Sequence, residues 1–185
     1  MVAEGMVQNE QQRNSYLCTL RAEAERLTHL VDNVLQYARL ERGAKSRRRI
    51  AIELDSLRKQ CTERLPDRAT QAGMTLIETI DPDDACRLIL TDPPAVEQVL
   101  FNLVDNACKY ASCAEDRRVH VEWSVQDDAA HIRVTDHGPG VQDIQAKKLF
   151  QPFSKSDREA AQTAPGIGLG LALSLRLAVD LGGKL

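Results

Sequence analysis

The segment from Asp92 to Ala111, DPPAVEQVLFNLVDNACKYA, decides the fold of this chain. An acidic residue followed by two prolines is typical of a helix start, because the acid can cap the first amides and proline is tolerated in the first turn. At 100° per residue, one side of this helix is apolar and the opposite stripe is polar. The polar stripe consists of Gln98, Asn102, Asp105, Asn106 and Lys109. We therefore predict a helix to about Ala111 that buries one face.

This polar stripe is an unusual choice if solubility is its only role. Asn is a weak helix former, yet Asn102 and Asn106 lie four residues apart, on the same face of the helix. Amide oxygens can ligate a hard cation such as Mg²⁺ without adding charge, and a lysine such as Lys109 can hold phosphate oxygens. A cation and phosphate site is one interpretation, and a solvated helix face is the other.

A long amphipathic helix is predicted from about residue 12 to 42. Its apolar positions alternate spacings of three and four, as in a heptad seam: Leu17, Leu20, Ala24, Leu27, Val31, Val34 and Ala38. We expect a bundle helix that packs on a partner chain or on another segment, although packing on its own domain is the alternative. The basic segment 41–49 after it is interpreted as a solvated linker, in preference to a nucleic-acid or lipid patch.

The remaining segments predict an α+β domain. Strands are expected over 49–52, 74–80 and 87–90, with an amphipathic stretch over 54–72 interrupted at Pro66. Alternating apolar residues over 119–125 and 132–134 predict a β-hairpin that turns over 126–130. The segment 167–177 alternates with period two, but its Leu and Ala content favours a buried helix. The predicted architecture is a two-layer α/β sandwich, a mixed sheet with helices on one face, preceded by the long helix.

The composition excludes several classes of protein. The 185 residues contain 24 Lys and Arg against 27 Asp and Glu, for a net charge of −3, and 43% are apolar. A near-neutral chain is not a strongly basic nucleic-acid binder, and there is no run of about 18 apolar residues to cross a bilayer. The first residues lack the features of a signal peptide, so we expect an intracellular protein. Five cysteines, none spaced as Cys-x-x-Cys, predict buried or half-buried thiols without disulfides or zinc.

Three further motifs follow in the second half of the chain. The predicted hairpin ends in Asp136-His137-Gly138-Pro139-Gly140, where a carboxylate with glycines behind it can accept a hydrogen bond from a flat ligand. Phe150-Gln151-Pro152-Phe153 comes next, and Gly166-Ile167-Gly168-Leu169-Gly170-Leu171 opens the last helix. Glycines at a helix start leave amides free to meet phosphate. Each motif alone is weak, since the first can be only a tight turn.

The four motifs in this order resemble the catalytic ATP-binding domain of sensor histidine kinases. The resemblance covers about residues 48–185, and segment 21–41 resembles the second helix of that family's dimerisation and phosphoacceptor domain. It implies two domains: a partial dimerisation domain over 1–46, and a catalytic domain over 47–185 that is truncated at its C-terminus. It also implies ATP and Mg²⁺ as cofactors, a homodimer through the N-terminal helix, and a response regulator as partner. No nucleic acid or membrane contact by this chain is expected, and the location would be the cytoplasmic part of a sensor that can be membrane-anchored.

The resemblance also implies roles for individual residues. Asn106 would be the Mg²⁺ ligand, and Asn102 would support the metal or the phosphates. Lys109 and Tyr110 would contact the phosphates or ribose, with Asn102 and Lys109 as the catalytic residues. Asp136 would accept a hydrogen bond from the adenine amino group.

The same resemblance assigns the walls and lid of the pocket. Gly138 and Gly140 would shape the adenine wall, and Phe150 and Phe153 would anchor a lid over 154–165. Lys155 or Arg158 in that lid would reach the γ-phosphate. The glycine-rich helix start would close over the triphosphate through Gly166, Gly168, Gly170 and Leu171.

One position separates kinases from the hydrolytic ATPases that share the fold. Those ATPases carry Glu four residues before the metal-binding Asn, where it activates water, whereas this chain has Asn102. An amide cannot take a proton at neutral pH, so a histidine imidazole is the expected acceptor of the phosphoryl group. A hydrolytic ATPase and a non-catalytic dimerisation or regulatory module are the alternatives.

The acceptor histidine itself is missing from these residues. The family places it in a His-Glu-x-x-x-Pro segment, which does not occur here, and His29 lies in the second-helix pattern. His120, His131 and His137 lack that context, so surface or turn roles are expected for them. We therefore predict a kinase fragment that binds Mg-ATP but does not phosphorylate itself in isolation.

Overall fold

The computed structural model describes residues 10–41, 48–141, 148–152, 154 and 168–185, and the chain divides into two units, Met1–Gly43 and Ala44–Leu185. The first unit contains one helix, α1, over Glu10–Glu41, which confirms the predicted long helix. At 1.5 Å per residue its 32 residues span about 48 Å. The large apolar side chains of its described seam are exposed, with exposed fractions from 42% at Val34 to 59% at Leu20. The side chain of Ala38 lies outside the described part of the chain.

The second unit alternates strands and helices in the predicted order. Its elements are β1 (Ile50–Glu53), α2 (Leu54–Thr62), α3 (Leu65–Gln71), β2 (Thr75–Ile80), β3 (Leu88–Thr91), α4 (Pro93–Tyr110), β4 (Arg118–Gln126), β5 (Ala129–Thr135) and α5 (Gly170–Asp180). The period-two segment near the C-terminus is therefore helical, as predicted. Its buried side chains follow the helical repeat and include Leu173 and Leu177.

The strands form two sheets. β2 pairs with β4 in parallel and β4 pairs with β5 antiparallel, which makes the predicted mixed sheet three-stranded. β1 and β3 pair separately and antiparallel. Val119, Val121 and Trp123 on one face of β4 are at most 1% exposed, whereas the intervening Glu122 is exposed. They join side chains of α2, α3 and α4 in one core, so helices cover one face of the sheet as predicted.

Two helix boundaries differ from the sequence prediction. The amphipathic stretch breaks at Glu63 and Arg64, and Pro66 lies inside the first turn of α3. Proline is tolerated there because the first amides of a helix have no partner within it. Asp92 precedes α4 as expected, but its side chain makes no capping bond; its backbone carbonyl accepts from the amides of Ala95 and Val96.

The hairpin turn is tighter than predicted. Only Asp127 and Asp128 connect β4 to β5, with φ of 49° and 60°. A two-residue hairpin needs this left-handed backbone, and Asp tolerates it better than most residues because its short side chain bonds locally.

The five cysteines are all free, which confirms the prediction of no disulfide. The expectation of burial is correct for Cys61 and Cys108 and wrong for Cys18, Cys86 and Cys113, which are exposed. Over the described residues, no helix is both long and apolar enough for a membrane crossing.

Candidate functional site

Asn102 lies in the predicted polar stripe of α4, but it is only 6% exposed. Its amide nitrogen donates to the Gly170 carbonyl at 3.2 Å and to Ser174 Oγ at 3.1 Å, and Gln98 Nε2 donates to its Oδ1 at 3.4 Å. Ser174 Oγ in turn donates to the Gly170 carbonyl at 2.9 Å. Asn102 therefore ties α4 to the first turn of α5. Sequence reasoning missed Ser174, although it is a polar residue in the middle of an apolar helix.

Asp105, also in the stripe, is held between two cations. Arg68 of α3 donates to Asp105 Oδ1 from Nε at 2.8 Å and from Nη2 at 2.7 Å. Lys109 Nζ pairs with the other oxygen, Asp105 Oδ2. Both carboxylate oxygens are thus engaged. Sequence reasoning missed Arg68, because nothing in the local pattern of α3 indicates a contact with a residue 37 positions away.

Asn106 lies one turn beyond Asn102 and is half-buried. Unlike Asn102, its side chain has no hydrogen-bond partner among the residues that the structure describes. Its amide oxygen is a hard donor of the kind that Mg²⁺ prefers. No group of three or more His, Cys, Asp or Glu able to hold a metal occurs among the described residues. A cation here would therefore need a ligand that brings further oxygens.

The Asp136 turn lies at the C-terminal end of α4. Asp136 is exposed, and one of its oxygens accepts from the Gly138 amide at 2.7 Å. A Cβ added at Gly138 would lie 2.8 Å from that oxygen and 3.4 Å from Ala111, just after Lys109 and Tyr110. A side chain at Gly138 would therefore displace the Asp136 carboxylate, whereas its contact with Ala111 would be ordinary packing. The second oxygen of Asp136 stays available to a ligand.

A third contact brings the Phe150 segment to the glycine-rich segment. Gly168 has φ of +71°, and a Cβ there would lie 2.4 Å from the Ser154 carbonyl oxygen. Ser154 itself is fixed by its amide, which donates to the Gln151 carbonyl at 3.3 Å, and by its hydroxyl, which donates to the Lys148 carbonyl. Only glycine allows the two backbones to approach this closely.

These contacts link the four sequence motifs to one another along α4. Gly138 lies against the end of α4, Gly168 lies against Ser154, and Gly170 lies beside Asn102, where an added Cβ would be 3.7 Å from the amide carbon. Of the other predicted residues, Phe150 and Leu171 are half-buried, while Tyr110 and Gly140 are exposed. Phe153, Lys155, Arg158 and Gly166 lie outside the described residues.

A charged cluster borders the Asp136 turn. His137 Nε2 lies 3.5 Å from Asp116 Oδ2, and its ring meets that of His120 edge to face at 5.7 Å between centroids. Asp116 also pairs with Arg118 Nη2 at 2.6 Å. The Arg118 guanidinium holds the pKa of Asp116 well below its usual range. The predicted turn role of His137 is consistent with this position.

Comparison with known proteins places these motifs in a family. Residues 91–185 match the model of the family described as histidine kinase-, DNA gyrase B-, and HSP90-like ATPase. The chain is 30% identical over 165 residues to the sensor protein KdpD of Escherichia coli, covering 89% of this chain and 17% of KdpD. It is 34% identical over 169 residues to the virulence sensor protein BvgS of Bordetella pertussis, covering 88% of this chain and 13% of BvgS. It thus spans less than a fifth of either relative.

Solved structures show the same fold. Full-length ShkA in complex with AMPPNP superimposes with a TM-score of 0.71 at 29% identity, covering 98% of this chain and 36% of that one. The histidine kinase AdeS of Acinetobacter baumannii gives a TM-score of 0.67 at 21% identity, over 97% of this chain and 78% of that one.

Proposed function

Because the chain belongs to the family of histidine kinase-, DNA gyrase B- and HSP90-like ATPases, we propose that it is the Mg-ATP-binding catalytic domain of a two-component sensor histidine kinase. Its γ-phosphoryl acceptor is a histidine outside this chain, since no His-Glu-x-x-x-Pro segment occurs in the 185 residues. The convergence of the four motifs around α4 is the observation that carries this proposal.

The Asp136 turn is the adenine end of the proposed site. One carboxylate oxygen is used by the Gly138 amide, which fixes the direction of the other. That oxygen accepts a hydrogen bond from the exocyclic amino group of adenine, and the absence of a side chain at Gly138 lets the base approach the backbone.

The face of α4 is the phosphate end. Lys109 supplies a positive charge, and the amide oxygen of Asn106 is the donor suited to Mg²⁺, whose remaining ligands would be phosphate oxygens and water. The metal supplies charge neutralisation for the transferred phosphoryl group. Asn102 contributes by holding Gly170 and the start of α5 beside the phosphates, together with Ser174. Phe150 and Phe153 are proposed to anchor a lid over 154–165, from which Lys155 or Arg158 would reach the γ-phosphate. Gly166 would help that lid close over the triphosphate.

Phosphoryl transfer to histidine is favoured over hydrolysis because neither polar residue beside Asn106 that the structure describes, Asn102 or Asp105, can serve as a base for water. Asn102 has no basic lone pair, and its amide is already bonded to Gly170 and Ser174. The nearby carboxylate of Asp105 has both oxygens held by Arg68 and Lys109. A histidine imidazole is itself a nucleophile and needs no such base. ATP turnover that is lost in Asp105→Asn would instead support a hydrolytic ATPase.

Helix α1 is proposed as the second helix of a dimerisation domain, with residues 1–46 forming one domain and 47–185 the other. Its exposed apolar seam supports a homodimer through this helix, because the stripe from Leu17 to Val34, about 25 Å long at 1.5 Å per residue, needs a partner. A response regulator would be the later recipient of the phosphoryl group.

Calorimetric titration with ADP and a non-hydrolysable ATP analogue, with and without Mg²⁺, tests the proposal. We expect micromolar binding that weakens at least tenfold in Asp136→Asn and loses its Mg²⁺ dependence in Asn106→Ala. Asp127→Asn, the same chemical change at the exposed hairpin turn, is the matched control and should bind normally. No nucleotide binding by the unmutated chain would refute the proposed function.

A further inference from the structure

The ion pairs around Asp105 link the candidate phosphate site to a helix that contributes nothing else to it. Arg68 belongs to α3, and its guanidinium reaches Asp105 Oδ1 on α4 through two nitrogens at 2.7 and 2.8 Å. Lys109 Nζ pairs with the opposite oxygen of the same carboxylate. The three side chains are 21–29% exposed, so water screens them only in part.

The charges of this cluster decide how much positive potential Lys109 offers to a ligand. Lys109 and Asp105 alone form a neutral pair, in which the carboxylate competes directly with phosphate for the ammonium. Arg68 adds one positive charge and engages the oxygen that Lys109 does not use. The cluster of three then carries a net charge of +1, and the carboxylate is shared between two cations. Opposite charges at such distances interact strongly when partly desolvated.

We propose that Arg68 is a positioning residue for polyphosphate binding. Arg68 draws the Asp105 carboxylate toward α3, so that Asp105 still holds Lys109 in place but neutralises less of its positive charge. That charge then remains available to the phosphates of the nucleotide. Arg68 acts through Asp105 and touches neither phosphate nor metal. This inference rests on the proposed function, because it assigns Lys109 to the phosphates of ATP.

Removal of the Arg68 charge tests this inference. In Arg68→Gln, Asp105 is left to neutralise Lys109, and we expect ADP affinity to fall about five- to tenfold, because one nearby charge is lost. The loss should shrink at 0.5 M salt, which screens the cluster. Adenosine, which has no phosphate, should bind Arg68→Gln and the unmutated chain equally.

A second variant separates the electrostatic role from a structural one. In Arg68→Gln with Asp105→Asn, the competing carboxylate is gone as well, so Lys109 is again free and ADP affinity should return to near the original value. Arg68→Lys keeps the charge and should retain most of the affinity. Arg64→Gln, the same change at an exposed arginine beside α3, is the matched control and should bind ADP normally.

The outcomes distinguish the two proposals. If the unmutated chain binds ADP and Arg68→Gln binds it equally well, the role of Arg68 is refuted while the proposed function stands. If Arg68→Gln and the double variant both bind ADP weakly, and both lose as much affinity for adenosine, then the contact of Arg68 is structural and its proposed electrostatic role is refuted. If the unmutated chain binds no ADP, the proposed function and this inference both fail.

Discussion

The two ends of the candidate site are built differently. At the α5 end, Asn102 and Ser174 are at most 6% exposed and bond to each other and to the Gly170 carbonyl. At the other end, Asp136 is exposed and held by one backbone amide. Buried polar groups need their partners within the protein, whereas an exposed carboxylate can exchange water for a ligand at little cost. The polar groups of the first end therefore help to hold the fold together, whereas the second end leaves one carboxylate oxygen exposed to a ligand.

Thiol reactivity should give the largest contrast across α4. Cys108 is a buried residue of α4, and Cys113 is an exposed residue just after the C-terminal end of that helix. Burial raises the pKa of Cys108, and burial also raises the pKa of Cys61 to about 12. At pH 8 we expect Cys18, Cys86 and Cys113 to react with iodoacetamide within minutes and Cys108 to react more slowly. Cys61 should react roughly a thousandfold more slowly than the exposed thiols, because the thiolate is the reactive form.

Peptide mapping by mass spectrometry measures this contrast, and labelling in denaturant provides the control in which all five thiols react alike. Fast labelling of Cys108 in the native protein would show that the buried side of α4 is readily exposed to solvent. The proposed contrast between the buried Asn102 end and the exposed Asp136 end of the site would then be wrong.

Substitution of Asn102 should have the next largest effect. Asn102→Leu removes the donor to Gly170 and Ser174 inside the core, and we expect a loss of about 1–3 kcal/mol in the free energy of unfolding. Asp136→Asn keeps an acceptor for the Gly138 amide and should change stability by less than about 0.5 kcal/mol. Urea unfolding followed by the fluorescence of Trp123, the one tryptophan in the sequence, measures both. Equal losses would contradict the comparison.

Two glycines with the same backbone conformation separate conformational cost from contact. Gly140 and Gly168 have φ of +70° and +71°, but an added Cβ meets nothing within 4 Å at Gly140 and the Ser154 carbonyl at Gly168. Alanine tolerates a positive φ less well than glycine, so the free energy of unfolding should fall in both alanine variants. It should fall by about 1 kcal/mol more in Gly168→Ala, because of the contact with Ser154. The same urea titration measures the difference. A Gly140→Ala variant as unstable as Gly168→Ala would mean that the contact with Ser154 contributes nothing.

The smallest effect is expected at the charged cluster beside His137. The pKa of Asp116 is lowered by the hydrogen bonds from Arg118, so its ionised form stabilises the fold. That contribution is fully present above the ordinary carboxyl pKa near 4, and it is lost progressively as the pH falls from there to the lowered pKa of the folded protein. Asp116→Asn should lower the melting temperature slightly at pH 7 and by less at pH 3, where part of the contribution is already lost. Glu115→Gln is an exposed charge-matched control, and an equal shift in it would assign the effect to net charge.

Local patterns predicted the elements well where one face is buried. The seam of α1, the polar and apolar sides of α4 and the alternation in β4 each follow from a single repeat, and each element forms near the predicted bounds. The break before α3 was placed at Pro66, because proline both interrupts and starts helices and the pattern does not distinguish the two. The hairpin turn was predicted at the right place but three residues too long, because alternation does not show where strand pairing ends.

The amino-acid pattern was sufficient for the fold class and for the four motifs, because periodicity and residue chemistry are local properties. The tertiary structure alone revealed that Asn102 is bonded to Ser174, that Arg68 reaches Asp105, and that Gly168 touches Ser154. These pairs join segments separated by 14 to 72 positions, and such contacts depend on how helices and strands pack. Packing brings distant polar groups together only after the local elements have formed, so no local repeat contains that information.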